Sequence, residues 1–134
     1  MRRAGAENAQ SIRRILTDPR HRGTGCVYFI GSMDMRQVKI GYTSESEPGS
    51  RKRNIQVCSP WPMSVIGYCR GNQALERALH AHFDQFRWSG EWFFLSQSII
   101  EAAAIASEMA KQSEDAEDSN LTEFWQAMRS AVAE

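Results

Sequence analysis

The sequence lacks the long apolar segment that a membrane-spanning helix requires. No run of about 18 apolar residues occurs in the chain, so we expect no transmembrane helix and no membrane partner. Cysteine is scarce, and Cys26, Cys58 and Cys69 form neither an even set nor a CxxC pair. This pattern disfavours a disulfide framework and a zinc finger. It favours free thiols in a reducing compartment, and we therefore expect a cytoplasmic protein.

The sequence also lacks net charge, but its charged residues are unevenly distributed. Residues 1–24 carry a net charge of +4, residues 25–100 carry +2, and residues 101–134 carry −6. A basic front half can contact a polyanion, and an acidic tail can lie away from that surface or mask it. Ordinary solvated surface explains the same distribution equally well.

The amino-acid composition is typical of a globular domain. Hydrophobic residues make up 42% of the 134 residues and charged residues 24%, which excludes a disordered chain. We divide the sequence into a basic N-terminal arm (1–24), a domain (25–112), and an acidic linker with a C-terminal amphipathic helix (113–134). That last helix either docks on the domain or contacts a protein partner.

Hydrophobic periodicity predicts the elements of the domain. We expect strands at 25–31, 37–43 and 63–69, and helices at 50–58, 72–86 and 96–111. Ser50 and Asn72 are the predicted N-caps of the first two helices. The segment "WSGEWFFL" (88–95) is expected to be a loop with a short extended piece. The predicted fold class is therefore α+β, with a small three-stranded antiparallel sheet flanked by helices.

The first two predicted strands form a hairpin, "VYFIGSMDMRQVKIGYT" (27–43), with two chemically different faces. A turn centred on Met33 and Asp34 would place Tyr28 opposite Lys39, on the face away from the apolar core. Gly41 would leave space beside them. An ammonium near a phenol lowers the pKa of the tyrosine and makes it a better proton acceptor. An ordinary half-exposed tyrosine over a lysine stem fits the same pattern.

Two helical segments carry candidate ionic groups. Arg51, Lys52 and Arg53 open the first helix, where cations oppose the helix dipole and an anionic partner would relieve the conflict. The alternative is a solvated basic turn. Glu76 and His80 follow at i and i+4 in "ALERALH", so they share one edge of their helix. They form either a site for Mg²⁺ and phosphate or a surface ion pair.

Five pieces in order, "CVYFIG", "VKIGYT", "RKRNIQVCSPWP", "ALERALHAHF" and "GEWFFL", resemble the GIY-YIG nuclease superfamily. They are most similar to its compact phage and bacterial branch, and the resemblance covers residues 25–97. It implies a metal-dependent endonuclease that acts on DNA. The tyrosine of the second motif falls at Lys39, which departs from the general pattern of that superfamily.

The resemblance also implies roles for single residues. Tyr28 would act in proton transfer at the attacking water, Arg51 would stabilise charge on the scissile phosphate, and Glu76 would bind Mg²⁺ (or Mn²⁺). His80 and Lys39 are further candidate catalytic residues, and Glu91 falls where the superfamily often has an asparagine. Glu91 could orient Lys39 or an arginine, or support a residue that itself contacts the metal or the phosphate. The predicted nucleic-acid contacts are Lys52, Arg53, Arg36 and Gly41.

The function expected from the sequence is hydrolysis of DNA phosphodiester bonds by a divalent-metal endonuclease. A catalytically weak nucleic-acid-binding or adaptor protein on the same fold is the alternative, because Lys39 and Glu91 depart from the motif pattern. A third class is a protein recruited by a partner, in which the acidic tail engages a basic surface or mimics DNA.

Overall fold

A computed structural model describes the backbone of residues 2–111 and the side chains of residues 7–111. The predicted acidic linker and C-terminal helix lie outside these described residues, and so does the protein contact expected there. No helix among residues 2–111 is long and apolar enough to cross a membrane.

The described chain folds into four α-helices, two short 3-10 turns and five strands. The helices are α1 (Arg2–Thr17), α2 (Gly49–Val57), α3 (Gln73–His82) and α4 (97–111). The 3-10 turns are Pro19–His21 and Asp84–Phe86. The strands are β1 (Gly25–Ser32), β2 (Gln37–Thr43), β3 (Ser64–Gly71), β4 (Arg87–Ser89) and β5 (Trp92–Phe94).

The strands form one sheet in the order β3-β1-β2-β5-β4, and every neighbouring pair is antiparallel. The fold is α+β, but the predicted three-stranded sheet is wrong, because the segment expected to be a loop forms a fourth and a fifth strand. Gly90, at φ +59°, adopts the left-handed conformation between β4 and β5. Strands of three residues are too short to display alternation, yet β5 satisfies backbone groups of β2 that would otherwise lack partners.

The hairpin of β1 and β2 has a different register from the predicted one. Tyr28 lies opposite Gly41 and Ile30 lies opposite Lys39, so the predicted pairing of Tyr28 with Lys39 is wrong by two residues. The turn is longer than expected and includes Arg36 at φ +52°. Because side chains alternate with a period of two, this shift leaves every side chain on its predicted face.

One face of the sheet, the helix-covered face, packs against α1, α3 and α4. Its β1 and β2 side chains are Val27, Phe29, Val38 and Ile40, all fully buried. Helix α1, within the segment predicted as a basic arm, adds the fully buried Ile12 to this core. Asn8 donates a hydrogen bond to the Ser98 carbonyl at 3.2 Å. The basic N-terminal segment is therefore tied to the domain.

The other face, which we call the open face, carries a smaller cluster of Cys26, Tyr28, Ile30 and Met63. Helix α2 contributes only the partly buried Ile55 to this cluster. The predicted N-cap of α2 at Ser50 is wrong, because the helix begins at Gly49 and its N-cap is Pro48, two residues before Ser50. The predicted cap of α3 is confirmed, since the Asn72 side chain accepts a hydrogen bond from the Leu75 N–H at 3.0 Å.

Candidate active site

Tyr28 lies on the open face, directly across from Gly41. A β-carbon placed on Gly41 would overlap the hydroxyl oxygen of Tyr28 and lie 2.5 Å from its Cζ. Only glycine therefore leaves room for the phenol in this conformation. Gly41 is itself buried, and the space that it provides belongs to Tyr28.

The Tyr28 side chain is nearly enclosed, with 2% of its surface exposed. Its hydroxyl makes no hydrogen bond to another described residue, and no fully buried polar side-chain atom among residues 7–111 lacks a partner. The residual exposure therefore includes the hydroxyl, which can reach a water molecule or a ligand.

Burial and the negative charge of Glu91 raise the pKa of Tyr28 to about 12, although Arg51 acts in the opposite direction. The predicted lowering of this pKa by Lys39 is wrong. Burial outweighs the effect of Arg51, and Lys39 lies across from Ile30 instead. At neutral pH Tyr28 is therefore a neutral phenol.

Two carboxyl groups meet beside this tyrosine. Glu76 lies in the first turn of α3, where Asn72 caps the helix. Glu91 precedes β5, and its carbonyl accepts a hydrogen bond from the Ile40 N–H at 3.0 Å, which fixes it beside β2. Burial, the charge of Glu91 and a hydrogen bond with the Glu91 carboxyl raise the pKa of Glu76 to about 7. The pair therefore holds a proton over much of the range below neutral pH.

Lys39 connects this carboxylate pair to the rest of the open face. Its Nζ lies 3.6 Å from Glu91 Oε2, so the two residues form an ion pair. The lysine side chain is mostly buried, at 24% exposed, whereas Glu91 is 46% exposed. Its positive charge opposes the rise in the pKa of Glu76.

His80 is held by the backbone of β2. Its Nε2 lies 2.7 Å from the Ile40 carbonyl oxygen, a contact in which the ring N–H donates. The same nitrogen lies 3.8 Å from Glu76 Oε1, and the ring packs edge-on against Phe93. These contacts place α3 and its glutamate against the sheet, so His80 positions Glu76.

A cleft of about 420 Å³ opens between α2, the loop after it and strands β2, β4 and β5. Lys39 and Arg51 are the charged residues among the described side chains that line it. Arg51 is exposed in the first turn of α2. The other lining residues are Gln37, Asn54, Ile55, Cys58, Ser59, Pro60, Trp88 and Trp92.

Three predicted nucleic-acid contacts lie outside this cleft. Lys52 and Arg53 follow Arg51 in α2, and Arg53 donates a hydrogen bond to Ser50 Oγ at 3.1 Å. Arg36 is exposed in the turn between β1 and β2. The structure therefore brings Tyr28, Lys39, Arg51, Glu76 and Glu91 together, whereas Lys52, Arg53 and Arg36 are not among the residues that line the cleft.

Sequence reasoning missed several residues of the cleft, among them Gln37, Asn54 and Trp88. Gln37 and Lys39 alternate along β2, and they pair with Phe94 and Trp92 of β5. The same alternation identifies the cleft-facing residues once β5 is known to be a strand. The three-residue strand gave no signal of its own.

The residues present fit a hard divalent cation. Mg²⁺ commonly binds one or two carboxylates and completes its shell with water and substrate phosphate oxygens. Glu76 and Glu91 provide such a pair, because their carboxyl groups are within hydrogen-bond reach of each other. Among residues 7–111 no group of three or more His, Cys, Asp or Glu side chains is arranged to hold a metal. The donor set therefore suits an ion that keeps several waters.

Comparison with known proteins gives one match. The T5orf172 domain model matches residues 25–113, which is more than half of the chain. No curated protein matches, and no solved structure matches.

This match overturns the family assignment made from the sequence motifs. The assignment to the GIY-YIG nuclease superfamily is wrong, because the matching model defines a distinct family. Each of the five short pieces is weak by itself, and Lys39 stands where the second motif of that superfamily has a tyrosine. By its match over residues 25–113, the chain belongs to the T5orf172 domain family.

Proposed function

We propose that the protein is a divalent-metal-dependent endonuclease that hydrolyses phosphodiester bonds in DNA. The observation that carries this proposal is the meeting of two carboxyl groups, Glu76 and Glu91, beside Tyr28 and two cations that line a cleft. A hydrolytic phosphodiesterase requires cations to bind the phosphate and a group that handles the proton of water. The open face supplies both kinds of group.

Arg51 and Lys39 are the proposed phosphate ligands. Both line the cleft, and a guanidinium presents a planar fork that matches two phosphate oxygens. Arg51 would stabilise the negative charge that develops as water attacks. Lys52, Arg53 and Arg36 would contact the flanking DNA backbone, where each cation adds to an affinity that falls as the salt concentration rises.

Glu76 and Glu91 are the proposed ligands of Mg²⁺ or Mn²⁺. A bound ion would supply positive charge for a phosphate oxygen. Burial and the charge of Glu91 raise the pKa of Tyr28, and the ion would offset the second of these causes. Tyr28 would act as the phenolate: after losing its own proton to solvent, it would accept a hydrogen bond from the attacking water and take that water's proton, which returns Tyr28 to the phenol. His80 keeps Glu76 in place through its hydrogen bond to the Ile40 carbonyl.

A DNA-binding protein without catalysis is the second candidate. Two observations favour it: the pKa of Tyr28 is about 12, and Lys39 is paired with Glu91. This candidate predicts DNA affinity that falls with salt and does not depend on Glu76. We expect either protein to act in the cytoplasm, where its three thiols stay reduced.

Residues 113–134, outside the described part of the chain, are proposed to contact a protein partner or to mask the basic surface. Deletion of this segment separates the two roles. DNA affinity that rises after deletion supports masking, whereas loss of a co-purifying protein with unchanged DNA affinity supports a docking role.

The test of the proposed function is cleavage of supercoiled, single-stranded and branched DNA with Mg²⁺, with Mn²⁺ and with a chelator. We expect wild-type cleavage that requires the metal, and loss of cleavage in Glu76→Gln, which removes the charge at constant shape. Glu45→Gln is the matched control, because Glu45 is an exposed carboxylate that belongs neither to the Glu76–Glu91 pair nor to the cleft. Equal cleavage by wild type and Glu76→Gln would overturn the proposal, and bound but intact DNA would establish the second candidate.

A further inference from the structure

One wall of the cleft is a ladder of side chains across β2 and β5. Lys39 pairs with Trp92, and Gln37 pairs with Phe94. Because residues directly opposite one another in a sheet project to the same side, these four side chains share the open face. The cleft wall therefore carries an amide and an ammonium on β2 and the Trp92 ring on β5. The Phe94 ring lies on the same face, opposite Gln37.

Trp88 extends this wall from β4. The register between β4 and β5 shifts between Arg87 and Ser89, so Trp88 lies at an irregularity of the kind that re-aims a side chain. Its ring packs at 6.3 Å from the ring of Phe94 and lines the cleft, yet 55% of the residue remains exposed. Burial in the core does not account for this tryptophan.

Two amides in the cleft have unused hydrogen-bonding capacity. The side chains of Gln37 and Asn54 line the cleft and make no hydrogen bond to any described residue. Side-chain amides pair with the donor and acceptor edges of nucleobases. Free amides beside an exposed indole therefore suit a flat, polar-edged aromatic ligand.

The charges of the cleft identify that ligand further. Its described lining has no acidic residue, and its cations are Lys39 and Arg51. Its volume of about 420 Å³ lies within the range of about 300–1,000 Å³ that is typical of small-ligand pockets. Aromatic faces, free amides and phosphate-binding cations together match one nucleotide unit, with a base to stack and a phosphate to neutralise.

We propose that this cleft binds an unpaired nucleobase of DNA, stacked on Trp88, with an adjacent phosphate at Arg51 and Lys39. This inference rests on the proposed action on DNA and specifies its substrate class. A base inside a duplex is stacked and paired and cannot enter a cleft in the protein surface. The preferred substrate is therefore single-stranded, bulged or branched DNA.

The test compares the binding of three labelled DNAs in the presence of a chelator, so that no cleavage occurs. The first is a fully paired duplex, the second has one unpaired base, and the third has an abasic site at that unpaired position. We expect the bulged base to bind at least about fivefold more tightly than the other two, because stacking of one base on an aromatic side chain contributes about 1–3 kcal/mol. The abasic DNA keeps the flexible backbone and removes only the ring.

Trp88→Ala should abolish this preference, whereas Trp61→Ala should preserve it. Trp61 is the matched control because it is 45% exposed and does not line the cleft. Tight binding of the abasic bulge, or an unchanged preference in Trp88→Ala, would overturn the inference. A base preference without any metal-dependent cleavage would refute the proposed nuclease activity but support the inference that the cleft binds a base. Metal-dependent cleavage without a base preference would support the nuclease and refute the base-binding cleft.

Discussion

The two faces of the sheet are built from alternate residues of the same strands, yet they are closed to different degrees. The helix-covered face is sealed by α1, α3 and α4, and Phe29 and Val38 there are fully buried. The open face is covered by the nine-residue helix α2 and the segment that follows it, and a cleft of about 420 Å³ remains there. Stability therefore depends mainly on one face, and the candidate chemistry occupies the other.

This contrast explains why charged and polar residues of the site cost the fold little. Glu76 projects from a helix that packs on the helix-covered face, and Glu91 lies in the turn before β5, where the sheet ends. The carboxyl groups meet at this margin, half shielded from water, where the pKa of Glu76 rises to about 7. A buried pair without partners would destabilise the protein much more strongly.

The largest expected effect on stability belongs to the helix-covered face. Phe29→Ala should lower the free energy of unfolding by about 3–5 kcal/mol, because it removes a fully buried ring from a packed core. Tyr28→Phe, one residue away on the open face, should change it by less than about 1 kcal/mol. Denaturant unfolding of the two variants measures the contrast. Similar losses of unfolding free energy in the two variants would contradict the claim that stability depends mainly on the helix-covered face.

The largest expected effect on activity belongs to the open face. Tyr28→Phe keeps the ring and removes the hydroxyl, so DNA cleavage should fall by about 10²–10⁴-fold while DNA affinity stays unchanged. Cleavage rates and affinity measured on the same preparation check this result. An equally active Tyr28→Phe variant would exclude the proposed proton transfer.

Gly41 should be the most sensitive glycine of the open face. Gly41→Ala places a β-carbon against the Tyr28 hydroxyl and should destabilise the protein by about 1–3 kcal/mol. Gly49→Ala is the control, because its β-carbon would meet no atom closer than 3.6 Å, and it should be neutral or slightly stabilising. Thermal unfolding of both variants tests the pair, and equal melting temperatures would show that Tyr28 moves aside without cost.

The smallest effect concerns pH. Since Glu76 has a pKa of about 7 in the folded protein and an ordinary value of 4.5, the folded state binds more protons than the unfolded state between those pH values. Stability conferred by the protonated carboxyl is therefore lost as pH rises from about 4.5 to 7. Glu76→Gln should remove this dependence, on the order of 1–2 kcal/mol.

Comparing the pH dependence of stability in wild type and in Glu76→Gln separates the contribution of Glu76 from that of His82. Burial lowers the pKa of that histidine and gives the opposite trend in both proteins. Parallel curves of stability against pH for the two proteins would place the titration elsewhere.

The sequence predicted the parts of the fold that depend on periodicity. The alternation of Val27, Phe29, Val38 and Ile40 identified the helix-covered face, and Asn72 identified the start of α3. It did not predict the hairpin of β4 and β5, because three residues display no period and only the open edge of β2 makes the strands stable. The family assignment failed because short motifs were read together without their tertiary context.

The sequence predicted some residues of the candidate site but neither their electrostatics nor the full set that lines the cleft. Tyr28, Arg51 and Glu76 are identifiable from residue type and local position. The pKa of Tyr28 was not, because it depends on burial under α2 and on Glu91, which is distant in sequence. Trp88 and the two free amides become visible as a group only when β2, β4 and β5 are adjacent.

The central claim is that Glu76 and Glu91 form a cation site on the open face. Calorimetric titration with Mn²⁺ near pH 7, in two buffers of different ionisation enthalpy, tests it most directly because it reports both binding and proton release. We predict that wild type binds Mn²⁺ and releases a fraction of a proton from the pair, and that Glu76→Gln and Glu91→Gln bind much more weakly while Glu45→Gln is unchanged. Failure of the wild type to bind, or equal binding by all four proteins, would contradict the account.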